Sequence, residues 1–277
     1  MNKPHDPTFS LDHYISSNQG TVLVPEATTN FHPALKEKQT VFSFEAYQDP
    51  HALPHPLPEI NTSSLGGYHQ RCLDMPIRLS GQKEYRIPEE WSALLPMLRD
   101  VITTEHVHNP NVLDYHTYIT VDSKMVEPDE QQRHGGLHVD GFQGARIDPK
   151  TKITRNYVVT TNGGTQFYPQ PFIVVDEKKY NVFQGFDLQA KDYVIAKEDT
   201  VYFMDAYTVH ESGIASRKDI RSFLRVTYDL KKFDRLGNTH NSMLDYNWDM
   251  ADRKIHEVVA TPTMNEIVNS PYKRSNP

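Results

Sequence analysis

Two side chains that bind metals through different atoms stand one residue apart in this chain. His138 and Asp140 flank Val139, and on a β-strand that spacing turns both to one face, about 6.5 to 7 Å apart along the backbone. An imidazole and a carboxylate so placed, joined by a second imidazole from elsewhere, make the facial triad that holds non-haem Fe(II) and leaves three coordination positions open. The second imidazole should come from a later strand that reaches the same end of the fold. His210 meets that requirement, because it follows the strand-like run Thr200-Val201-Tyr202-Phe203-Met204 and the turn Asp205-Ala206-Tyr207. His240 and His256 lie in a polar loop and a helix-like stretch, poorer supports for a rigid ligand.

His-x-Asp alone is weak, since a chain with fourteen histidines and ordinary acidic content produces about one such triplet by chance. Its surroundings add weight: Gly135, Gly136, Gly141 and Gly144 flank it, where the backbone can turn sharply and leave room above a metal. Further along, Arg221-Ser222-Phe223-Leu224-Arg225-Val226-Thr227-Tyr228 reads as a strand with Arg221, Phe223, Arg225 and Thr227 on one face and Leu224, Val226 and Tyr228 on the other. If the arginine face meets solvent, two guanidinium groups are unremarkable. If it lines the interior, each needs an anionic partner, because an unpaired buried charge is prohibitively costly. A dicarboxylate held bidentately would provide one.

The elements that must position these residues can be read from periodicity. Residues 21–24 and 40–44 read as strands, and Pro50, Pro54, Pro56 and Pro58 impose an extended path. Trp91, Leu94, Leu95, Leu98 and Val101 recur at helical spacing and predict one amphipathic helix over 87–103, with Pro88 in its first turn and Pro96 as a kink or break. From residue 112 the period falls to two. Strands are predicted over 115–121, 156–161, 165–168, 172–175, 192–196, 200–204 and 222–230, with a polar loop over 122–132 and weak helical periodicity over 245–260. Short strands about 8 to 12 residues apart, punctuated by Asn162-Gly163-Gly164, Pro169 and Pro171, argue for a mainly β sandwich or jelly roll with flanking helices.

The 277 residues suit a single domain: a wrapping segment and helix over 1–110, a core over 111–230 carrying the site, and an extension over 231–277. A net charge of -7 with scattered lysines and arginines disfavours nucleic acid and anionic membranes as partners. Cys72 is the only cysteine, which excludes an intrachain disulfide and any multi-cysteine metal site. Residues 1–10 lack the basic start and apolar run of a signal peptide, and no apolar stretch of about 18 residues occurs, so a cytoplasmic protein is expected.

Taken in order, His138-Val139-Asp140, His210 and Arg221 resemble the Fe(II)/2-oxoglutarate-dependent oxygenase superfamily, which carries His-x-Asp/Glu, a distal histidine and, about ten positions later, a basic residue on a double-stranded β-helix. Thr160-Thr161-Asn162-Gly163-Gly164-Thr165-Gln166-Phe167 also resembles the Gly-Gly turn and following aromatic of many hydroxylases of this kind. The resemblance covers residues 112–230 and implies a jelly-roll, cupin-like core. It implies that His138, Asp140 and His210 ligate Fe(II), and that 2-oxoglutarate and O2 are cosubstrates. Arg221 would hold the distal carboxylate of 2-oxoglutarate. Arg225 remains an alternative, because the family's arginine is often followed two places on by a hydroxyl residue, a pattern met here by Arg225 and Thr227 and not by Arg221 and Phe223. Tyr118 would be a hydroxyl donor to the same cosubstrate. Because Asp140 is present, halogenation is not expected.

The resulting expectation is a dioxygenase that oxidises a small molecule, by hydroxylation as the default, with an amino acid or other carboxylate as substrate. Polar loops over 122–132 and 144–155 have the length and polarity of a lid. Two other readings stay open at this point: a cupin-like or oxidase-type iron enzyme that does without 2-oxoglutarate, and a jelly-roll binding protein that holds no metal.

Overall fold

The computed structural model describes residues 9–15 (backbone only), 19–24, 25 (backbone only), 35, 42–48, 54–66, 70–133, 135–140, 154–252 and 260–272. In chain order its strands are β1 (Phe9–Ile15), β2 (Gly20–Pro25), β3 (His55–Leu57), β4 (Cys72–Arg78), β5 (Tyr85–Pro88) and β6 (His116–Val126). They continue with β7 (Arg155–Thr160), β8 (Gln166–Phe167), β9 (Val194–Ile195), β10 (Val201–Asp205), β11 (His210–Glu211) and β12 (Asp219–Asp229). The α-helices are α1 (Leu95–His108), α2 (Val182–Gln189) and α3 (Met264–Val268).

Two sheets carry the site. The large one has six strands in the order β3-β10-β7-β12-β6-β4, and the small one has the order β11-β8-β9, extended by an antiparallel bridge between His210 and His138. From β6 onward the chain alternates between them: β6 in the large sheet, His138 in the small, β7 in the large, β8 and β9 in the small, β10 in the large, β11 in the small, β12 in the large. That winding of antiparallel pairs is a double-stranded β-helix, the jelly roll expected from the strand spacing. Proline at the centre of a sheet would remove a ladder hydrogen bond. Consistent with that, Pro56 and Pro76 lie in β3 and β4, the two edge strands of the large sheet. Segment 1–110 therefore does more than wrap the core, since it completes the main sheet at both edges.

The period-two reading of 221–228 holds. Leu224, Val226 and Tyr228 sit in the main hydrophobic core with Ile119, Val121, Tyr157 and Val159, while Arg221, Phe223 and Arg225 face the cavity. Helix α1 covers the outer face of the large sheet through Leu98, Val101 and Ile102. Each aliphatic side chain buried this way stabilises the fold by about 1.5 to 3 kcal/mol. A second, internal cluster joins Val158, Met204 and Phe223 of the large sheet to Phe167 and Ala196 of the small-sheet side.

Several expectations need correction. The helix predicted over 87–103 is a 3-10 segment, Glu89–Leu94, followed by α1, and Ile87 and Pro88 end β5. Pro96 lies in the first turn of α1, where its missing N–H costs nothing, so it starts the helix and neither kinks nor breaks it. Residues 42 and 43 form no strand and Phe44–Gln48 is a 3-10 helix; residues 40 and 41 lie outside the described residues. Phe172, Val174 and Val175 are buried without strand pairing. β6 runs to Val126 before the loop begins. Residues 245–252 are not helical, 253–259 lie outside the described residues, and the C-terminal helix is α3, opened by Thr263 and Glu266 as a capping box. Helix α2 was not anticipated, although Asn181, which caps its first amides, is the residue type that marks such a start. Gly141, Gly144 and residues 141–153 lie outside the described residues.

Candidate metal centre and cavity

The small sheet brings two of the expected ligands together by backbone pairing. His138 N–H donates to His210 O and His210 N–H to His138 O, both at 2.9 Å, and the imidazole centroids stand 4.5 Å apart. Asp140 reaches the same point, and the nearest ligand atoms of His138, Asp140 and His210 lie within 4.8 Å of one another. Asp140 and His210 are buried. Each histidine is oriented through its other nitrogen, His138 Nδ1 to Gly136 O at 3.1 Å and His210 Nδ1 to Thr208 O at 2.8 Å. A carbonyl can only accept, so Nδ1 carries a proton in both rings and Nε2 is the nitrogen left for a metal. Burial pushes His210 down to about 4, with His138 beside it acting in the same direction, so the ring is neutral near pH 7. Burial alone would raise the Asp140 carboxyl, but Arg225, His210 and His138 outweigh it and hold Asp140 below the usual carboxylate range. Two imidazoles and one ionised carboxylate, converging on one point, fit the donor set of a non-haem Fe(II) centre.

The triad opens on a cavity of about 640 Å³. Four arginines line it, Arg133, Arg221, Arg225 and Arg235, and their partners differ. Arg225 spans two carboxylates: Nη1 donates to Asp140 Oδ1, and Nη2 to Asp74 Oδ1 at 2.9 Å. Burial would lower it, and the two carboxylates more than reverse that. Arg221 is 1% exposed, yet it meets only neutral acceptors: Asn162 O, Gly163 O at 2.9 Å, and Gln132 Oε1. Among the described residues no carboxylate is in ion-pair reach of it. Burial, reinforced by Arg133, pushes it down to about 10. Arg133 stacks its guanidinium 4.9 Å from the centroid of Phe223. It too has no carboxylate in ion-pair reach among the described residues.

The Gly-Gly turn explains how Arg221 is held. Gly163 has φ +72, and a Cβ there would come within 2.4 Å of Ile214 O; at Gly164 a Cβ would lie 1.8 Å from Ala196 O. Only glycine allows this close passage, and it is what directs the carbonyls of 162 and 163 at Arg221.

Tyr118 is not where a cosubstrate contact requires. Its hydroxyl donates to Lys231 O at 2.7 Å and accepts from Phe233 N–H at 3.1 Å, its ring stacks on Phe233 at 4.1 Å, and it does not line the cavity. Phe233 stands between them and lines the cavity itself. The sequence offered no comparable sign of Asp74, Asp187 or Arg133, which line the same space together with Ser212. Ser212 had one available signal, its place two residues after His210. Asp74 had none, because its role depends on a strand contributed from far away.

No family model matches the chain, and no curated protein matches it. Solved structures similar in part include the viral collagen prolyl hydroxylase from Paramecium Bursaria Chlorella virus-1, at 13% identity, TM-score 0.34, over 53% of this chain and 73% of that one. An oxidoreductase of the 2OG-Fe(II) oxygenase family from Burkholderia pseudomallei is similar at 14% identity, TM-score 0.31, over 72% of this chain and 79% of that one. The carbocyclase SnoK from nogalamycin biosynthesis is similar at 17% identity, TM-score 0.30, over 50% and 60% of the two chains.

Proposed function

We propose that this protein is an Fe(II)/2-oxoglutarate-dependent oxygenase that oxidises a small carboxylate-bearing molecule, hydroxylation being the default outcome. The observation that carries this reading is the pairing of a facial His138-Asp140-His210 triad with Arg221, a buried cation in the same cavity whose partners among the described residues are all neutral. A buried guanidinium of that kind calls for an anion, and a keto acid whose far carboxylate meets Arg221 would have its near end toward the triad. When bound, Fe(II) with 2-oxoglutarate supplies oxygen activation, giving succinate, CO2 and an oxidised substrate.

The chain's own residues account for binding and orientation. His138, Asp140 and His210 would hold the metal from one side. Arg221 would bind the distal carboxylate, stiffened by Gln132 and by the 162–163 carbonyls. Arg225 is already shared between Asp74 and Asp140, which favours Arg221 of the two. Phe223, between them on β12, keeps an apolar wall against the cavity and limits water there. Arg133, resting on the Phe223 ring, is the cation that supports a carboxylate on the substrate, an amino acid among the simplest.

Binding of 2-oxoglutarate to the Co(II)- or Fe(II)-loaded protein, followed by succinate formation under oxygen, tests the reading. Wild type should bind and turn over 2-oxoglutarate, and Arg221→Met should weaken that binding by about 100-fold, the scale of a lost buried charge pair. Metal binding without any affinity for 2-oxoglutarate would favour an oxidase-type iron enzyme. Thermal protection of the metal- and 2-oxoglutarate-loaded protein by a panel of amino acids, lost in Arg133→Met, would mark the substrate class.

A further inference from the structure

The two oxygens of Asp140 have different neighbours. Oδ2 stands 3.6 Å from His210 Nε2, on the side of the triad, whereas Oδ1 accepts from Arg225 Nη1. Arg225 is itself fixed on its other side by Asp74 at 2.9 Å. Asp74 is an unusual anchor: its φ is +46, a region that non-glycine residues rarely adopt, and it sits where the pairing of β4 with β6 is irregular between Cys72 and Met75. Thr120 of β6 closes the arrangement, its hydroxyl donating to Asp74 Oδ1 at 2.9 Å and accepting from Asp74 N–H at 3.0 Å. A left-handed aspartate at an edge-strand irregularity, clasped by a threonine and directed at one arginine, is local strain maintained beside a functional site.

We propose that Arg225, oriented by Asp74, is a positioning residue that retains Oδ1 of Asp140 so that the carboxylate offers the metal Oδ2 alone. This rests on the metal site proposed above. One-oxygen ligation matters because a carboxylate free to turn can bind through both oxygens and take a position that an incoming keto acid needs. Asp74 is required for charge as well as for geometry. By sharing the guanidinium, it prevents Arg225 from giving its full positive charge to Asp140 and competing with the metal. The group Asp140, Arg225 and Asp74 carries a net charge of minus one, a favourable sign for a divalent cation. Outer partners of this sort orient ligands and set metal affinity.

Co(II) is a suitable probe, since its visible spectrum reports coordination number in the absence of 2-oxoglutarate. Arg225→Met should alter that spectrum toward higher coordination and weaken subsequent 2-oxoglutarate binding by about tenfold or more although Arg221 is intact. Asp74→Asn, close to isosteric, should keep the fold and raise the Co(II) Kd by about tenfold, within the range for lost outer partners. Arg225→Lys, a single charge that cannot span both carboxylates, should fall between wild type and Arg225→Met. A wild-type spectrum and Kd in both Arg225→Met and Asp74→Asn would overturn the proposal. Should Arg225→Met fail to fold, an unchanged Co(II) Kd in Asp74→Asn overturns it alone. If wild type binds Co(II) but not 2-oxoglutarate while these variants still move the spectrum and Kd, the cosubstrate reading fails and the positioning role stands.

Discussion

The two sheets of the core are built to different standards. In the large sheet β12 pairs along its whole length with β6 and over six residues with β7, and its outer face anchors the main core. In the small sheet β8, β9 and β11 have two residues each, and His138 joins through a single bridge. The candidate metal ligands His138 and His210 belong to the lightly paired side, whereas Arg221 and Arg225 are presented by the strongly paired one. The difference suggests a division of labour. A charged group must be held by a frame that does not yield to its own desolvation cost, while imidazoles on short strands can be set by two carbonyls, and an ion bound between them would tie them together.

Three measurements would break or sharpen this contrast. The largest effect should come from Glu105 of α1, fully buried, which accepts from Arg155 Nε and Tyr157 of β7 at 2.7 Å and from Asn109. Glu105→Ala removes an acceptor shared by three groups at the helix–sheet contact and should lower unfolding stability by about 3 to 5 kcal/mol, measured by denaturant titration. His210→Ala should act elsewhere: metal affinity should fall by about 100-fold, near 2.7 kcal/mol, with the metal-free midpoint close to wild type. Metal should slow amide exchange at 138 and 210 in wild type and not in this variant. A His210→Ala protein as destabilised as Glu105→Ala would contradict the division.

The third measurement concerns Asp229, at the end of β12. Burial raises its carboxyl to about 6, against the hydrogen bonds from Thr154 and the Lys231 amide. With an unfolded value near 3.9, the folded state binds the proton more tightly, so this group's contribution is greatest below pH 4 and is lost as pH rises through 6. Asp229→Asn should therefore gain about 2 to 3 kcal/mol relative to wild type between pH 4 and pH 7, read as the difference between their thermal stabilities. A constant difference over that range would show that Asp229 does not titrate as the large-sheet environment requires.

Much of the candidate site was legible in order and spacing. His138, Asp140 and His210 could be named because ligand chemistry restricts the residue types, and the arginine face of 221–228 because a strand has period two. The same rules failed where a side chain's role depends on something distant. Tyr118 has the right residue type on a strand of the core, but Phe233 and the 231 carbonyl occupy it. Pro96 looked like a helix breaker until the 3-10 segment ahead of it turned it into a first-turn residue.

The sequence by itself named the three candidate ligands, the two competing arginines and a mainly β chain, since each follows from local periodicity or from the chemistry of a residue type. Only the tertiary structure decided which arginine is paired with carboxylates and which meets neutral acceptors among the described residues. That outcome depends on Asp74, 151 positions away from Arg225, arriving on an edge strand in a left-handed conformation. Charge pairing in a low-dielectric interior is set by distances between chain segments, and no spacing along the chain encodes them.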